Sequence, residues 1–197
     1  MAEIYLVTGN ESKRIEFSKM MNDEIKVQFV DIDIVEIQTN DIVEINESKA
    51  KTAYEILKKK KNLEPNKKII VITDDIGLYM DCFNGFPGPY VKWMLKALGC
   101  EGLAEVSLKL GNTKCQVVCV YSAYDGENMR SFKGTTQGSI SSPKGANGFG
   151  WDTIFKPENL DKTFGEITFE DKKKYSPRFK AFYQLKEFLF ENLKQNI

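Results

Sequence analysis

Residues 69–93 constrain this chain more than any other stretch. They open on the apolar run Ile69, Ile70, Val71, Ile72, preceded by Lys67 and Lys68, and soon reach two adjacent carboxylates, Asp74 and Asp75. A short continuous apolar run suits a strand covered on both faces. The acid pair is expected to end that strand. Ligands in open α/β sheets bind beyond the carboxyl ends of strands, so chemistry is expected at this tip. The competing reading is a charged strand end followed by an ordinary turn. Gly77 and Gly85 mark turns, and Pro87, Gly88 and Pro89 stiffen the loop after them. A helix carrying Lys92 is predicted to begin near Pro89, a residue suited to a first helical position.

The chain has 197 residues and no histidine. That length accommodates one sizeable core or at most two small domains, and with no linker or internal repeat in view the chain reads as a single α/β domain over 1–197. The missing imidazole excludes a histidine base, a Ser–His or Cys–His nucleophile and histidine metal ligands. Proton transfer must fall to carboxylates, Lys, Tyr or Cys. Any metal is expected to take oxygen ligands, which favours Mg²⁺ or Mn²⁺ over Zn²⁺. Lys+Arg and Asp+Glu both number 28. A balanced charge argues against a nucleic-acid polymer as partner, while a small anion needs only a few local cations. No apolar run approaches membrane-spanning length. The first residues read as a strand rather than a signal peptide. The four cysteines form no Cys-x-x-Cys pair, so a reducing, cytoplasmic location is expected.

In chain order, an apolar run over 4–7 leads into Thr8-Gly9-Asn10, with Lys13 and Arg14 on a helix predicted over 12–21. A strand, a glycine turn and a helix start make an anion cradle, because free N–H groups point outward at a helix N-terminus. A plain strand-to-helix turn is the alternative. A second strand is predicted over 27–32, and Glu36 follows in a polar connection. The spacing over 41–61 is helical, with Ile42, Ile45, Lys49, Ala53 and Ile56 on one face. Lys49 is a cation on an apolar stripe, free to snorkel or to enter a site. A loop is expected over 62–66. Val91, Met94, Leu95 and Leu98 give the next helix its apolar face, with Gly99 ending it and a short helix over 102–110 following. Segments 115–124 and 129–136 read as a hairpin around Asp125-Gly126-Glu127-Asn128. In the loop over 141–152, glycines flank Phe149 and Trp151, exposing aromatic faces suited to stacking; a satellite apolar cluster is the alternative. Ser176 is suited to cap the last helix and Pro177 to open it. Arg178 then falls in the first turn, where a cation opposes the helix dipole and points to an anionic or polar neighbour.

Taken together, Thr8-Gly9-Asn10-Glu11-Ser12-Lys13, the Asp74-Asp75 pair, GFPGPYVKW over 85–93, FKGTTQG over 132–138, FGWD over 149–152 and SPRF over 176–179 resemble the inosine triphosphate pyrophosphatase (Ham1-like) family. The similarity runs over essentially the whole chain. It implies an α/β fold with a long, curved mixed β-sheet, flanking helices and two lobes around a central cleft. It also implies a homodimer and Mg²⁺-dependent hydrolysis of ITP, dITP and XTP to the monophosphate and pyrophosphate.

Carried over residue by residue, the resemblance makes Thr8, Gly9, Asn10 and Lys13 the phosphate-binding turn. Glu36 and Asp75 become metal carboxylates, with Asp75 also orienting or deprotonating the attacking water. Asp74 and Asp75 would repel each other when both are ionised, and a divalent cation would relieve that. Lys49 and Lys92 become cations around the phosphates. Phe149, Gly150, Trp151 and Asp152 become the base pocket, with Phe149 stacking and Asp152, Lys172 and Arg178 at its polar end. The chain departs from the family pattern at Pro177, where histidine is usual, at Ile76, where a small hydroxyl residue is common, and at Asp74, where some members carry Glu. The first departure brings in relaxed base selectivity as an alternative. A Maf-like specificity for modified nucleotides and a nucleotide-binding protein without catalysis are further alternatives.

Overall fold

The computed structural model describes residues 2–60 and 67–194. The expected helix end at Lys61 and the loop over 62–66 lie outside the described residues. The strands are β1 (Glu3–Val7), β2 (Val27–Val30), β3 (Ile69–Met80), β4 (Pro87–Gly88), β5 (Lys114–Tyr124), β6 (Met129–Ile140) and β7 (Phe155–Pro157). The helices are α1 (Glu11–Met21), α2 (Ile42–Lys60), α3 (Val91–Lys109), α4 (Phe169–Lys172) and α5 (Pro177–Lys194). The strands form one mixed sheet in the order β2-β1-β3-β5-β6-β7, with β4 added beside β3. β1 runs parallel to β2 and β3, whereas β4 and β7 are antiparallel to β3 and β6.

Two compact units are distinguished: Met1–Asp75 with Val120–Lys133 and Ala181–Ile197, and Ile76–Cys119 with Gly134–Lys180. In the first, Tyr5, Val7, Ala53, Leu57, Ile69 and Val71 form one core cluster. Phe17 packs edge-on against Phe182 at 5.3 Å and lies 5.9 Å from Tyr121. In the second, Leu78, Met80, Val91, Leu103, Val117, Trp151, Ile154, Phe155 and Phe164 form the core. Each fully buried large apolar side chain contributes on the order of 1.5–3 kcal/mol.

β3 does not stop at the acid pair. It continues to Met80, because Leu78 and Tyr79 pair with Gly88 and Pro87 of β4, so Gly77 lies inside a strand and not in a turn. The same pairing displaces the start of α3. Pro87 to Tyr90 form a turn in which Tyr90 N–H donates to the Pro87 carbonyl at 3.0 Å. Tyr90 is the N-cap, and Pro89 therefore precedes the helix instead of opening it. α3 is kinked at Gly99, whose φ of 68° and ψ of 179° are not helical, as the predicted break there requires. Leu98 is 44% exposed and does not join the buried face. On α2 the buried stripe is Ile42, Ile45, Asn46, Ala50, Ala53 and Leu57, so Leu57 takes the place expected for Ile56.

The hairpin turns where expected. Asp125 Oδ1 accepts from the N–H groups of Glu127 and Asn128 at 2.9 and 2.7 Å. Among the described residues no helix is long and apolar enough to cross a membrane. All four cysteines are free; Cys115 and Cys119 are buried, while Cys82 and Cys100 are half-buried. Burial, with Asp81 nearby, pushes the Cys115 thiol up to about 12. Iodoacetamide at neutral pH is therefore expected to label Cys82 and Cys100 in the native protein and to reach Cys115 and Cys119 only after unfolding. Peptide mass spectrometry checks this.

Candidate functional site

The first unit builds a strand-to-helix turn beside a cluster of lysines and carboxylates. β1 ends at Val7, and Asn10 caps α1 by accepting from Lys13 N–H through Oδ1 at 3.2 Å. Asn10 N–H donates in turn to Thr8 Oγ1 at 3.2 Å. Arg14 clamps the turn from the helix side, donating Nε and Nη2 to the Thr8 carbonyl at 2.9 and 2.7 Å. Gly9 lies against the Asp31 carboxylate, where an added Cβ would stand 2.7 Å from Oδ1 and push that exposed side chain aside.

Lys13 reaches from α1 to β3, where its Nζ lies 3.1 Å from both the carbonyl and Oδ2 of Asp74. Successive strand side chains point to opposite faces. Asp74 therefore pairs with Lys13 while Asp75 pairs with Lys49 of α2, Nζ to Oδ1 at 2.9 Å. Each carboxylate thus has a lysine at 2.9–3.1 Å, which offsets part of the expected repulsion between these neighbours, while burial, and Asp74 after it, still raise the Asp75 carboxyl. Lys49 also lies 2.9 Å from Glu36 Oε1, so one ammonium bridges Asp75 and Glu36. Burial pushes the Lys49 ammonium down, but Asp75 and then Glu36 outweigh it and hold the group above its usual range. Burial raises the Asp75 carboxyl above the ordinary carboxylate range, and Lys49 and Lys13 offset only part of that rise.

Asp75 Oδ2 is buried without a hydrogen-bond partner. Among the described residues no group of three or more His, Cys, Asp or Glu side chains gathers into a metal cage. An unused carboxylate oxygen beside a second, partly exposed carboxylate fits a hard divalent cation that takes its other ligands from phosphate and water.

The second unit holds a different cluster. Asp152 Oδ2 accepts from Phe149 N–H and from Lys172 Nζ, both at 2.8 Å. The Lys172 ammonium lies 5.4 Å from the Phe149 ring centroid and 5.3 Å from that of Phe164. Asp152, Lys172, Ser176 and Arg178 are all buried. Gly148 has φ of 77°, and a Cβ there would lie 2.0 Å from Asp152 Oδ2, so the loop can close on the carboxylate only with glycine. Gly150 accepts from Cys100 Sγ at 3.0 Å. α5 opens at Pro177, which places Arg178 in its first turn. Lys92 is exposed on α3, with its ammonium 5.4 Å from the Trp93 ring centroid.

The sequence matches the model of the Ham1 family over residues 4–188. The chain belongs to the Ham1 family. It is 35% identical over 187 residues to inosine triphosphate pyrophosphatase 2 of Trypanosoma cruzi, covering 93% of this chain and 90% of that protein. It is 32% identical over 189 residues to the dITP/XTP pyrophosphatase of Saccharolobus solfataricus, covering 95% and 93%. Among solved structures, the Staphylococcus aureus Ham1 protein aligns with a TM-score of 0.75 at 29% identity over 96% of this chain and 100% of that one. A HAM1 protein from Coxiella burnetii aligns with a TM-score of 0.79 at 25% identity over 97% and 100%.

In this Ham1-family chain many of the expected residues gather as two groups, while Lys92, expected beside the phosphates, stays exposed on α3 over Trp93. Glu36, Lys49 and Asp75 meet in the first unit, where Lys13 also joins the turn of Thr8, Gly9 and Asn10 to β3. Phe149, Asp152 and Lys172 meet in the second. Trp151 departs from expectation: it is 6% exposed and packs edge-on against Phe155 at 5.6 Å, because the apolar core offers the indole more burial than the loop surface does. The sequence reading missed Arg14 as the clamp on the turn and passed over Asn46, although Asn46 stands on the buried stripe of α2 three residues before Lys49.

Proposed function

We propose that this chain hydrolyses ITP, dITP and XTP to the nucleoside monophosphate and pyrophosphate with Mg²⁺, Mn²⁺ being a possible substitute. The observation carrying this reading is the Glu36–Lys49–Asp75 cluster with a buried, unused Asp75 oxygen. Relatives named inosine triphosphate and dITP/XTP pyrophosphatase support it.

In this reading the turn of Thr8, Gly9 and Asn10 presents N–H groups to phosphate, and Lys13, Lys49 and Lys92 offset its charge. Glu36 and Asp75 would hold the metal, which supplies positive charge to the phosphate oxygens when bound. Asp75 aligns the attacking water and accepts its proton. Phe149 stacks on the base. Arg178 and Lys172 donate to the 6-oxo group of hypoxanthine or xanthine, which adenine lacks. A pocket of buried donors rejects a base that leaves them unpaired.

Pyrophosphate release from ITP is the direct test. It should require Mg²⁺ and be lost in EDTA, and release of orthophosphate alone would refute the reading. Relaxed base selectivity is favoured by one observation, Pro177 at the start of α5 beside the buried Arg178. Across ITP, XTP, GTP and ATP, Pro177→His is expected to raise the preference for oxopurines about tenfold, as one added base contact does. An unchanged ranking would show that Pro177 does not govern base choice.

A homodimer is part of the proposal. Trp93, Leu98, Leu108 and Leu110 are exposed apolar side chains on and just after α3, and light scattering tests self-association. Free thiols suit a reducing, cytoplasmic setting.

A further inference from the structure

Asn46 is fully buried on α2. Its Nδ2 lies 3.3 Å from the Thr73 carbonyl, 3.2 Å from the Val120 carbonyl and 3.0 Å from Ser122 Oγ. Thr73 answers by donating Oγ1 to the Asn46 carbonyl at 3.0 Å. Ser122 continues the chain to Ser131 at 2.8 Å, and Ser131 donates to Glu47 Oε1 at 2.8 Å. All of these residues belong to the first unit.

The placement matters because of what stands next to each partner. Asn46 is three residues before Lys49, and Thr73 is two before Asp75. On a helix the first spacing puts both side chains on one face, and on a strand the second does the same. The rest of the buried stripe on α2 is apolar, and apolar contact is non-directional. It presses the helix on the sheet without deciding how far the helix slides along β3. The reciprocal pair between Asn46 and Thr73 is directional and sets that slide. Asn46 Oδ1 is buried without a partner, so the amide is not satisfied in full. An apolar residue of the same shape would remove that cost but would also forfeit the Nδ2 contacts to Thr73, Val120 and Ser122, so positioning is tested by a readout other than stability.

We propose that Asn46 is a positioning residue, locking α2 to β3 so that Lys49 and Asp75 meet. Its catalytic consequence rests on the pyrophosphatase reading; its geometric consequence does not.

Two measurements test it. Acetylation footprinting by mass spectrometry, on Asn46→Leu and on Thr73→Val as a second route, should show Lys49 several-fold more reactive with Lys67 unchanged. Steady-state kinetics with ITP should show kcat lowered on the order of 10²-fold, as misplacement by an ångström can do, with KM little changed. Thr73→Ser, which keeps the hydroxyl, should restore both readouts. In a Lys49→Met background Asn46→Leu should add little further loss, because its effect passes through Lys49. Unchanged Lys49 reactivity overturns the proposal. So does a uniform rise in the reactivity of all lysines, or an equal loss with and without Lys49, since each marks a merely structural role. If the wild-type protein releases no pyrophosphate while Lys49 alone becomes reactive, the positioning role stands and the pyrophosphatase reading fails.

Discussion

Asp75→Asn is expected to lower kcat for ITP by on the order of 10³-fold, within the range lost when a positioned proton acceptor is removed. The substitution keeps the shape of the side chain and removes its charge and basicity. Lys49 keeps Glu36 at 2.9 Å, so the lysine retains a counter-ion. β3 keeps its backbone pairing, since Leu6 and Ile72 stay in register with no help from the carboxylate. Stability should respond in the opposite direction to activity. Burial holds the Asp75 carboxyl above the ordinary range, so the folded state binds more protons than the unfolded chain between the unfolded pKa and that raised value. Stability therefore falls as pH rises through this window. The asparagine variant lacks that contribution, and its melting temperature should decline less than that of wild type over the same window. Thermal melts across an acidic pH series, alongside turnover, separate the two effects. Wild-type turnover in the variant would remove Asp75 from the proposed chemistry.

What could be read in the sequence divides along physical lines. Periodicity placed α2 and put Lys49 on its buried face, because a 3.6-residue repeat is a local property. The break at Gly99 and the hairpin at Asp125 were legible for the same reason: each turn is encoded by the residues that make it. The length of β3 was not. Its second half is stabilised by β4, a pairing partner eight to ten residues further along the chain, whereas Gly77 by its local sequence alone signals a turn. The site was legible by residue type. With no histidine, acids and lysines were the remaining apparatus; Glu36 was singled out only by the family resemblance, and it meets Lys49 as Asp75 does. Their pairing was less so. Lys13 with Asp74 depends on which side of the pleat each acid takes, and that follows only once the strand is known to continue. Trp151 shows the same limit from the other side. Glycine neighbours indicate a loop but do not tell which aromatic of the loop turns inward; Trp151 does, and Phe149 stays half-exposed.

Asp152→Ala is expected to destabilise the protein by about 3–5 kcal/mol, the range for breaking a buried ion pair from one side. One oxygen, Oδ2, receives both Phe149 N–H and the Lys172 ammonium at 2.8 Å. Removing it takes a carboxylate contact at 2.8 Å from a buried lysine and the acceptor from a backbone N–H in one step. For a chain of this size the loss corresponds to a fall of roughly 6–20 °C in melting temperature. Asp152→Asn separates the two contributions. Its amide oxygen can still accept from Phe149 N–H, so the loop keeps its closure, but the amide carries no charge to hold Lys172 above the Phe149 ring. If Lys172 reads the base, the preference for ITP over ATP should fall by on the order of 10-fold or more in Asp152→Asn, with the melting temperature falling less than in Asp152→Ala. Kinetics with both nucleotides, set beside thermal melts, decide between the roles. A large loss of stability with an unchanged ITP/ATP ratio would assign Asp152 to holding the loop alone and would leave base choice to Arg178 and the start of α5.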